Sequence, residues 1–337
     1  MAVSLRPWHT FKMSATADMI FAFDSVEKLL NIIHVLDSHK TCFRVLGHGS
    51  NVVFSTHFSG WILLNRIMGV TILQEDEDYI TLEVGGGVCW HQLVLQTLQR
   101  GWFGLENMIS IPGTVGAAPM QNIGAYGTEL ADVFQSCQAV SLDTRQLKTY
   151  AHADCAFGYR TSFFKSELAC GNQYVITSVV LRLSKQAKVN LSYPRLQAFI
   201  TKNHRSRFIT PYLIASAVRA LRCQRLPNWL EVGTVGSFFI NPIISTQHYS
   251  KLLDSWPSLD AKQLAGGDVK LFAGNLLTLA GFRGYRHGGL VMSAVNPIVI
   301  TNEHGATTDD LLQLLAEVTQ RMIACFNITL VVEPKIF

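Results

Sequence analysis

The sequence predicts a mixed α+β architecture with more than one domain. Segments with strand-like apolar runs interleave with segments whose apolar residues recur at helical spacing. The 337 residues exceed the ~250–300 at which one hydrophobic core stops growing. Apolar residues make up 48% and charged residues 15%, well under the usual ~25%, so core material is ample and disorder is excluded.

Element by element, Asp24 followed by Glu27 reads as a capping box ahead of Leu29, Leu30, Ile32, Ile33 and Leu36 at helical spacing. A strand over Phe43 to Leu46 runs into the turn Gly47-His48-Gly49-Ser50-Asn51. Val52 to Phe54, Trp61 to Leu64 and Tyr79 to Val84 read as further strands, the last ended by three glycines. Trp90 to Arg100 has helical pattern, closed by Gly101. Residues 104 to 127 show neither period. They are rich in Gly, Ala and Pro and nearly uncharged, so we read them as backbone packed closely against other backbone or a ligand. Val133 to Leu142, Leu147 to Ala151 and Tyr174 to Leu183 read as strands. Thr210-Pro211 opens a helix to about Leu221. Gln224 to Gly233, with Pro227, reads as a linker and a domain boundary. Beyond it come a helix from Ser245, a Gly-rich segment at 281–289 and a strand over Ile298 to Ile300. Thr307 and Asp310 cap a final helix with Leu311, Leu314, Leu315, Val318 and Met322 on one face, and a strand over Ile328 to Val332 follows.

The formal net charge of +4 suits an anionic ligand, but no Lys/Arg cluster is dense enough for nucleic acid. No apolar run approaches the ~18 residues of a membrane span, and the N-terminal stretch lacks the apolar region of a signal peptide. The seven cysteines, at 42, 89, 137, 155, 170, 223 and 325, form no CxxC pair, which argues against a disulfide framework or a zinc site and for a reducing cytoplasm.

Four constellations could carry chemistry. Gly47-x-Gly49 follows a strand, but the third glycine of a dinucleotide fingerprint is replaced by Val52 and no helix follows. Alone it is a tight turn. With Ser50, Asn51 and the glycines of 113–127 it could cradle a pyrophosphate on backbone N–H groups. Arg160, within Phe157-Gly158-Tyr159-Arg160, is either a structural ion-pair member or a clamp for a carboxylate and a developing enolate. Ser237, in Gly236-Ser237-Phe238-Phe239, lies outside any hydrolase elbow and is structural unless a special environment activates it. Glu333 follows an apolar run and is either a salt-bridge partner of Lys335 or a general acid-base.

Together these segments resemble the UDP-N-acetylenolpyruvoylglucosamine reductase (MurB) family. The resemblance lies in VLGHGSN (45–51), ENMISIPGTVGAAPMQNIGAYG (106–127), CAFGYRTSFFK (155–165), GSFFINP (236–242) and NITLVVEPKIF (327–337), and it runs from Ser4 to Glu333. It implies a two-domain FAD-binding module of the vanillyl-alcohol-oxidase/p-cresol-hydroxylase type plus a C-terminal α+β substrate-binding domain. The implied boundaries are 1–70 (with 331–337 returning to it), 71–222 and 223–330. It implies FAD as cofactor, NADPH as co-substrate, a UDP-sugar as substrate, no nucleic-acid or membrane partner, no metal, and a monomer in the cytoplasm. Carried over by position, Ser237 is the implied proton donor, with Arg160 and Glu333 handling the carboxylate and the enolic intermediate. Tyr159, Tyr193, Arg225, Asn241 and Asn296 fall on substrate positions. Leu46, Gly47, His48, Gly49, Ser50, Asn51, Ile111, Pro112, Gly113, Gly116, Ala117, Gln121, Asn122, Gly124, Arg160 and Arg222 fall on cofactor positions. An ungapped count from Thr301-Asn302 puts Glu333, and not Lys335, at the family's glutamate.

The chain departs from the family pattern at several places. His9 replaces Asn, Thr161 replaces Asp, Arg225 replaces Lys, Thr234-Val235 replaces Asn-Ala and Ile240 replaces Lys. Asn275 and Thr278 replace Trp and Asp, and Asn296 replaces Gln. These changes bear on affinity and rate more than on reaction type. Two other functions fit the same segments: a flavin oxidoreductase of this fold acting on another small molecule, and a non-catalytic flavin or sugar-nucleotide binder.

Overall fold

The computed structural model describes residues 2–166, 174–204, 208–264 and 266–337. The chain divides into two compact units. The first comprises Ala17–His48 and Ser59–Gln224; the second comprises Ala2–Thr16, Gly49–Phe58 and Arg225–Phe337.

The first unit is built on a five-stranded antiparallel sheet in the order Leu147–Ala151, Phe134–Ser141, Tyr174–Ser184, Tyr79–Gly85, Val70–Glu75. The central strand pairs on both edges, with Val179 opposite Cys137 on one side and Val84 on the other. Leu82, Val179 and Leu181 pack with Trp90, Leu93 and Leu98 of the helix Trp90–Gln99, and with Ile214, Val218 and Leu221 of the helix Pro211–Arg225. Beside it, Phe43–Leu46 runs parallel to His57–Asn65, with Leu46 opposite Leu64. The helix Val26–Ser38 lays Leu29, Ile33 and Leu36 against Phe23, Leu63, Val140 and Val175, which joins this layer to the five-stranded sheet.

The second unit holds a four-stranded antiparallel sheet in the order Gly233–Ser237, Val299–Asn302, Leu290–Met292, Arg286–His287. A three-stranded sheet orders Ile243–Ile244, Val269–Leu271, Ala261–Gln263. The helix Thr308–Phe326 buries Leu311, Leu314, Val318 and Met322 in this unit's core. Its predicted cap is present in full: Thr307 Oγ1 accepts from Asp310 N at 3.1 Å and Asp310 Oδ2 accepts from Thr307 N at 2.8 Å.

The structure corrects several expectations. The first helix is capped by Ser25, whose Oγ accepts from Lys28 N at 3.2 Å, while Asp24 pairs with Lys28 Nζ at 3.3 Å. A hydroxyl next to the helix takes the cap, and the carboxylate one residue earlier is left for a surface ion pair. The helix opened by Thr210 and Pro211 continues to Arg225, so the linker begins later than Gln224. Helices Pro194–Asn203 and Ala273–Leu279 were not legible. The first buries just Leu196 and Ile200, too thin a stripe to show a period, and the second is seven residues long. Ile328 to Val332 is not a strand. Val332 makes an isolated bridge to Phe239, and the pairing strand is Lys335–Ile336, parallel to Val52–Val53. Asn241-Pro242 follows the partner segment, and proline has no N–H with which to extend a ladder. Cys170 lies outside the described residues; the other six cysteines are free thiols. Among the described residues no helix is long and apolar enough to cross a membrane.

Replacing Thr307 by Ala is expected to cost about 1 kcal/mol and Thr307→Gly a few tenths, read as a shift in the unfolding midpoint by circular dichroism. No loss in either variant would mean that the hydroxyl is not a stabilising group.

Candidate active site

In the first unit a cavity lies between the end of the strand Phe43–Leu46 and the segment after Gly113, lined among others by Leu46, Gly47, Asn65, Thr114, Gly116 and Ile176. Two of these are glycines for a steric reason. A Cβ on Gly47 would lie 2.3 Å from Thr114 Oγ1, and one on Gly116 would lie 2.7 Å from Ile176 O and 2.9 Å from Gly86 Cα. Asn65 fixes the same place by donating to Ile176 O at 3.0 Å. His48, still in this unit, is half-buried, and its pKa is lowered by burial and by the charge of Arg66.

Residues 104–127 form short helical turns and a two-stranded ribbon in which Gly124 pairs with Glu129. Ser110, Asn122 and Tyr126 take left-handed φ values of 61, 47 and 49°. Non-glycine residues with such values are uncommon and mark local constraint. Ser110 N donates to His91 Nδ1 at 3.3 Å, which shapes the Ile111-Pro112 corner, and Gly113 O accepts from Trp90 N at 3.1 Å. Lys165 Nζ donates to Gln121 Oε1 at 2.9 Å.

Arg160 sits at the tip of a tight turn. Gly158 N donates to Thr161 O at 3.1 Å and Thr161 N to Gly158 O at 3.3 Å, and Arg160 itself has φ 56°. Its Nη2 donates to Gly124 O at 3.0 Å, and its guanidinium carbon lies 5.4 Å from the Tyr159 ring centroid. Arg222 shares its surroundings. Burial lowers its pKa, Tyr126 and Cys223 oppose that, and the positive charge of Arg160 adds to it. Two guanidiniums that repel each other in a desolvated space favour an anionic ligand. Tyr193 stacks edge-on against Tyr126 at 5.2 Å, and its loop is tied down by Asn190 Nδ2 to Gly127 O at 2.9 Å and by Asn107 Nδ2 to Tyr126 O at 2.8 Å and Asn190 O at 3.0 Å.

The second unit brings Ser237 and Glu333 together. Ser237 lies beyond a register shift in the Gly233–Ser237 strand, and a bulge of this kind re-aims the side chains beside it. Next to it, Phe238 O accepts from Glu333 N at 3.0 Å, so both residues sit on adjoining backbone. Thr234 holds the bulge: its buried hydroxyl donates to Ile300 O at 3.3 Å and accepts from Gly236 N at 3.1 Å. Ser50 and Asn51 belong to this unit with Gly49, whose φ is 60° and whose Cβ would fall 2.2 Å from Trp8 O. Asn51 O accepts from Lys335 N at 3.1 Å. Asn241 Oδ1 accepts from Ala273 N at 2.9 Å, and Asn296 Oδ1 packs against Gly274, so the start of the helix Ala273–Leu279 gathers both asparagines. Arg225, the last residue of its helix, opens the Arg225–Phe337 part of this unit.

Residues 228–337 match the C-terminal domain of UDP-N-acetylenolpyruvoylglucosamine reductase, and residues 17–150 match an FAD binding domain. The chain is 38% identical over 334 residues to the UDP-N-acetylenolpyruvoylglucosamine reductase of Amoebophilus asiaticus, covering 99% of this chain and 97% of that one. It is 38% identical over 333 residues to the reductase of Pasteurella multocida, covering 99% and 95%. The chain belongs to the UDP-N-acetylenolpyruvoylglucosamine reductase family. The fold agrees: the MurB structure from Thermus caldophilus superposes with a TM-score of 0.69 at 20% identity, covering 100% of this chain and 98% of that one.

The cavity of the first unit fits the FAD that members of this reductase family bind. Its glycines let the lining segments approach closely: an added Cβ on Gly47 or Gly116 would strike Thr114 or Ile176 and push the lining apart. One expectation changes. The glycines after 113 were read as a source of free N–H donors, but Val115, Gly116 and Ala117 donate to Val88 O, Gly86 O and Thr114 O at 2.9, 2.9 and 3.1 Å. Gly116 and Gly124 are there for close packing, since a Cβ on Gly124 would meet Thr128 O at 2.8 Å. Likewise the side chain of Asn122 makes three hydrogen bonds inside the protein, so any contact with FAD falls to its backbone. Asn107, Asn122 and Asn190 were missed as organisers; each looks like an ordinary polar loop residue in sequence.

His9, which replaces the reductase family's asparagine, is buried, and its Nε2 lies 3.2 Å from Met13 O. Burial lowers its pKa from the ordinary 6.5, against the opposing carbonyls of Met13 and Val52. A depressed folded-state pKa contributes stability that is present above the unfolded value and lost as pH falls through it toward the folded value. His9→Asn is expected to flatten the loss of thermal stability below about pH 6.5 and to change little at pH 8. An unchanged acid slope in scanning calorimetry would rule His9 out as its source.

Proposed function

We propose that this chain reduces the enolpyruvyl group of UDP-N-acetylglucosamine enolpyruvate to UDP-N-acetylmuramate, a peptidoglycan precursor, with bound FAD and with NADPH as co-substrate. The observation that carries this reading is the full-length similarity to curated reductases, 38% identical over 99% of this chain. Residues 1–70 with 331–337, and residues 71–222, form the FAD module on this reading, and 223–330 the UDP-sugar domain. NADPH and UDP-sugars are intracellular metabolites, which supports a cytoplasmic enzyme.

FAD, held on this reading by residues such as Gly47, Gly116 and Ala117, would supply the hydride chemistry that links NADPH to the enolpyruvyl methylene. The neighbouring carbon, which bears the carboxylate, then becomes electron-rich and must take a proton. We assign that proton to the Ser237 hydroxyl. A serine is a weak acid, so it serves here through placement beside a strongly basic carbon. The register shift between Thr234 and Ser237 supports this, since a bulge re-aims the side chains beside it. We assign Arg160 and Glu333 to the carboxylate and the enolic intermediate. The cation of Arg160 lowers the energy of a developing oxyanion, and the left-handed turn with its bond to Gly124 O holds it ready. Tyr159, Tyr193, Arg225, Asn241 and Asn296 are assigned to the diphosphate and the sugar. Arg225 offers a planar fork suited to phosphate oxygens.

The purified holoenzyme is expected to oxidise NADPH only when the enolpyruvyl substrate is present, followed by loss of nicotinamide absorbance. A flavoprotein that consumes NADPH equally without substrate, or not at all with it, would overturn the reading. Ser237→Ala is expected to leave flavin reduction by NADPH near normal and to slow reoxidation by substrate by roughly a thousandfold, because a group used only in one transition state costs rate in that step. Equal loss in both half-reactions by stopped flow would remove Ser237 from proton donation.

A further inference from the structure

We propose that Asn122 is a positioning residue for Arg160, setting where the guanidinium stands. The inference rests on the reading of Arg160 given above and goes beyond it.

Arg160 is held at two points within the first unit. Its backbone is held by the turn closed between Gly158 and Thr161, and its guanidinium by Gly124 O at 3.0 Å. Asn122 reaches both anchors. Its Nδ2 donates to Gly158 O at 3.2 Å, at the base of the turn, and to Glu129 Oε2 at 2.7 Å, on the ribbon residue paired with Gly124. Its Oδ1 accepts from Ala131 N at 3.0 Å, just beyond that ribbon. Two acceptors on the nitrogen and one donor on the oxygen leave a single consistent orientation of the amide. The residue is 1% exposed and has φ 47°, a conformation that asparagine and glycine adopt more readily than other residues. Asn122 therefore couples the two supports of Arg160 through one rigid, buried amide. An aspartate there would lack both donors and would face the Glu129 carboxylate with like charge.

The test is a double-mutant cycle in the holoenzyme with Asn122→Gly and Arg160→Lys. Glycine keeps the left-handed backbone and removes the amide. Asn122→Gly is expected to slow substrate-driven flavin reoxidation about 100-fold, the scale of a misplacement near 1 Å, and to slow it at least tenfold more than it slows flavin reduction by NADPH. Binding of substrate to the oxidised holoenzyme, read from the flavin absorbance change, is expected to weaken about tenfold, the worth of one charge-assisted hydrogen bond. In the Arg160→Lys background both effects of Asn122→Gly are expected to shrink below about threefold, because the residues act as a unit. If the glycine variant fails to retain flavin, Asn122→Asp carries the same expectations. Losses that multiply in the double variant, or an Asn122→Gly enzyme that reoxidises normally, would overturn the positioning role while leaving Arg160 in place. An Arg160→Lys enzyme that binds and reoxidises normally would overturn both.

Discussion

Three backbone segments meet without a side chain between them, and the cavity of the first unit depends on that contact. Gly86 N donates to Thr177 O at 2.7 Å and Gly116 N to Gly86 O at 2.9 Å, while a Cβ on either glycine would lie within 2.7 Å of Ile176 O. The central strand of the five-stranded sheet, the turn after Tyr79–Gly85 and the segment after Thr114 are thereby locked at backbone distance. Asn65 donates its amide to Ile176 O as well, so the neighbouring parallel pair is fixed to the same point. Asn65, Thr114, Gly116 and Ile176 then line one cavity, although they are far apart in sequence. Any side chain at 86 or 116 would separate the segments and open the lining.

This constraint explains what was legible. The absence of period and charge over 104–127 announced close backbone packing, and that is what the segment does. Its second implied use, a set of free amide donors, is narrowed, because the tight packing itself engages the amides of 115 to 117. Helices with full caps were also legible. Thr307 with Asp310 and Ser245 before Thr246–Ser255 mark their ends by hydrogen bonds that local sequence dictates. Ala273–Leu279 has no side-chain cap of its own; its first amide is met by Asn241 from 32 residues away. Such a helix exists because of tertiary structure, and no local pattern could have revealed it. The same holds for Ile328 to Val332, whose apolar run reads as a strand but whose pairing is limited by Pro242 beyond its partner.

Left-handed non-glycine residues concentrate in the loops around Arg160. Ser110, Asn122, Tyr126, Ala156 and Arg160 all have φ between 43 and 61°. Each such conformation costs on the order of 1–3 kcal/mol outside glycine, so the surrounding contacts must hold them in place. They do so with polar side chains, most of them buried: Asn107 and the half-buried Asn190 around Tyr126, Asn122 around the turn of Arg160, and Ser162 donating to Met120 O at 2.8 Å. Individually these residues look like ordinary loop polars. Their role lies in which carbonyls they meet, and sequence does not show that.

At the departures from the family pattern the structural task is carried by backbone or by a short polar side chain that bonds locally. Thr161 closes the Gly158 turn through its N–H and C=O, which any residue but proline supplies. Ile240 donates its amide to Val331 O at 2.8 Å and so keeps the chain beside Glu333 aligned without using its side chain. Asn275, in place of a tryptophan, accepts from Asp260 N at 2.9 Å, and Thr278, in place of an aspartate, bonds back to Gly274 O at 2.8 Å. Thr234 keeps a polar hydrogen-bonding atom at the bulge where the family has asparagine. In each case the residue present bonds within the local geometry near Arg160, Ser237, Glu333 or the start of the helix Ala273–Leu279, while its size or charge differs from the family's residue. The framework of the reaction and the fit of the substrate are thus held by different atoms at these positions, which is why the pattern can drift there without disturbing the three residues assigned to the chemistry.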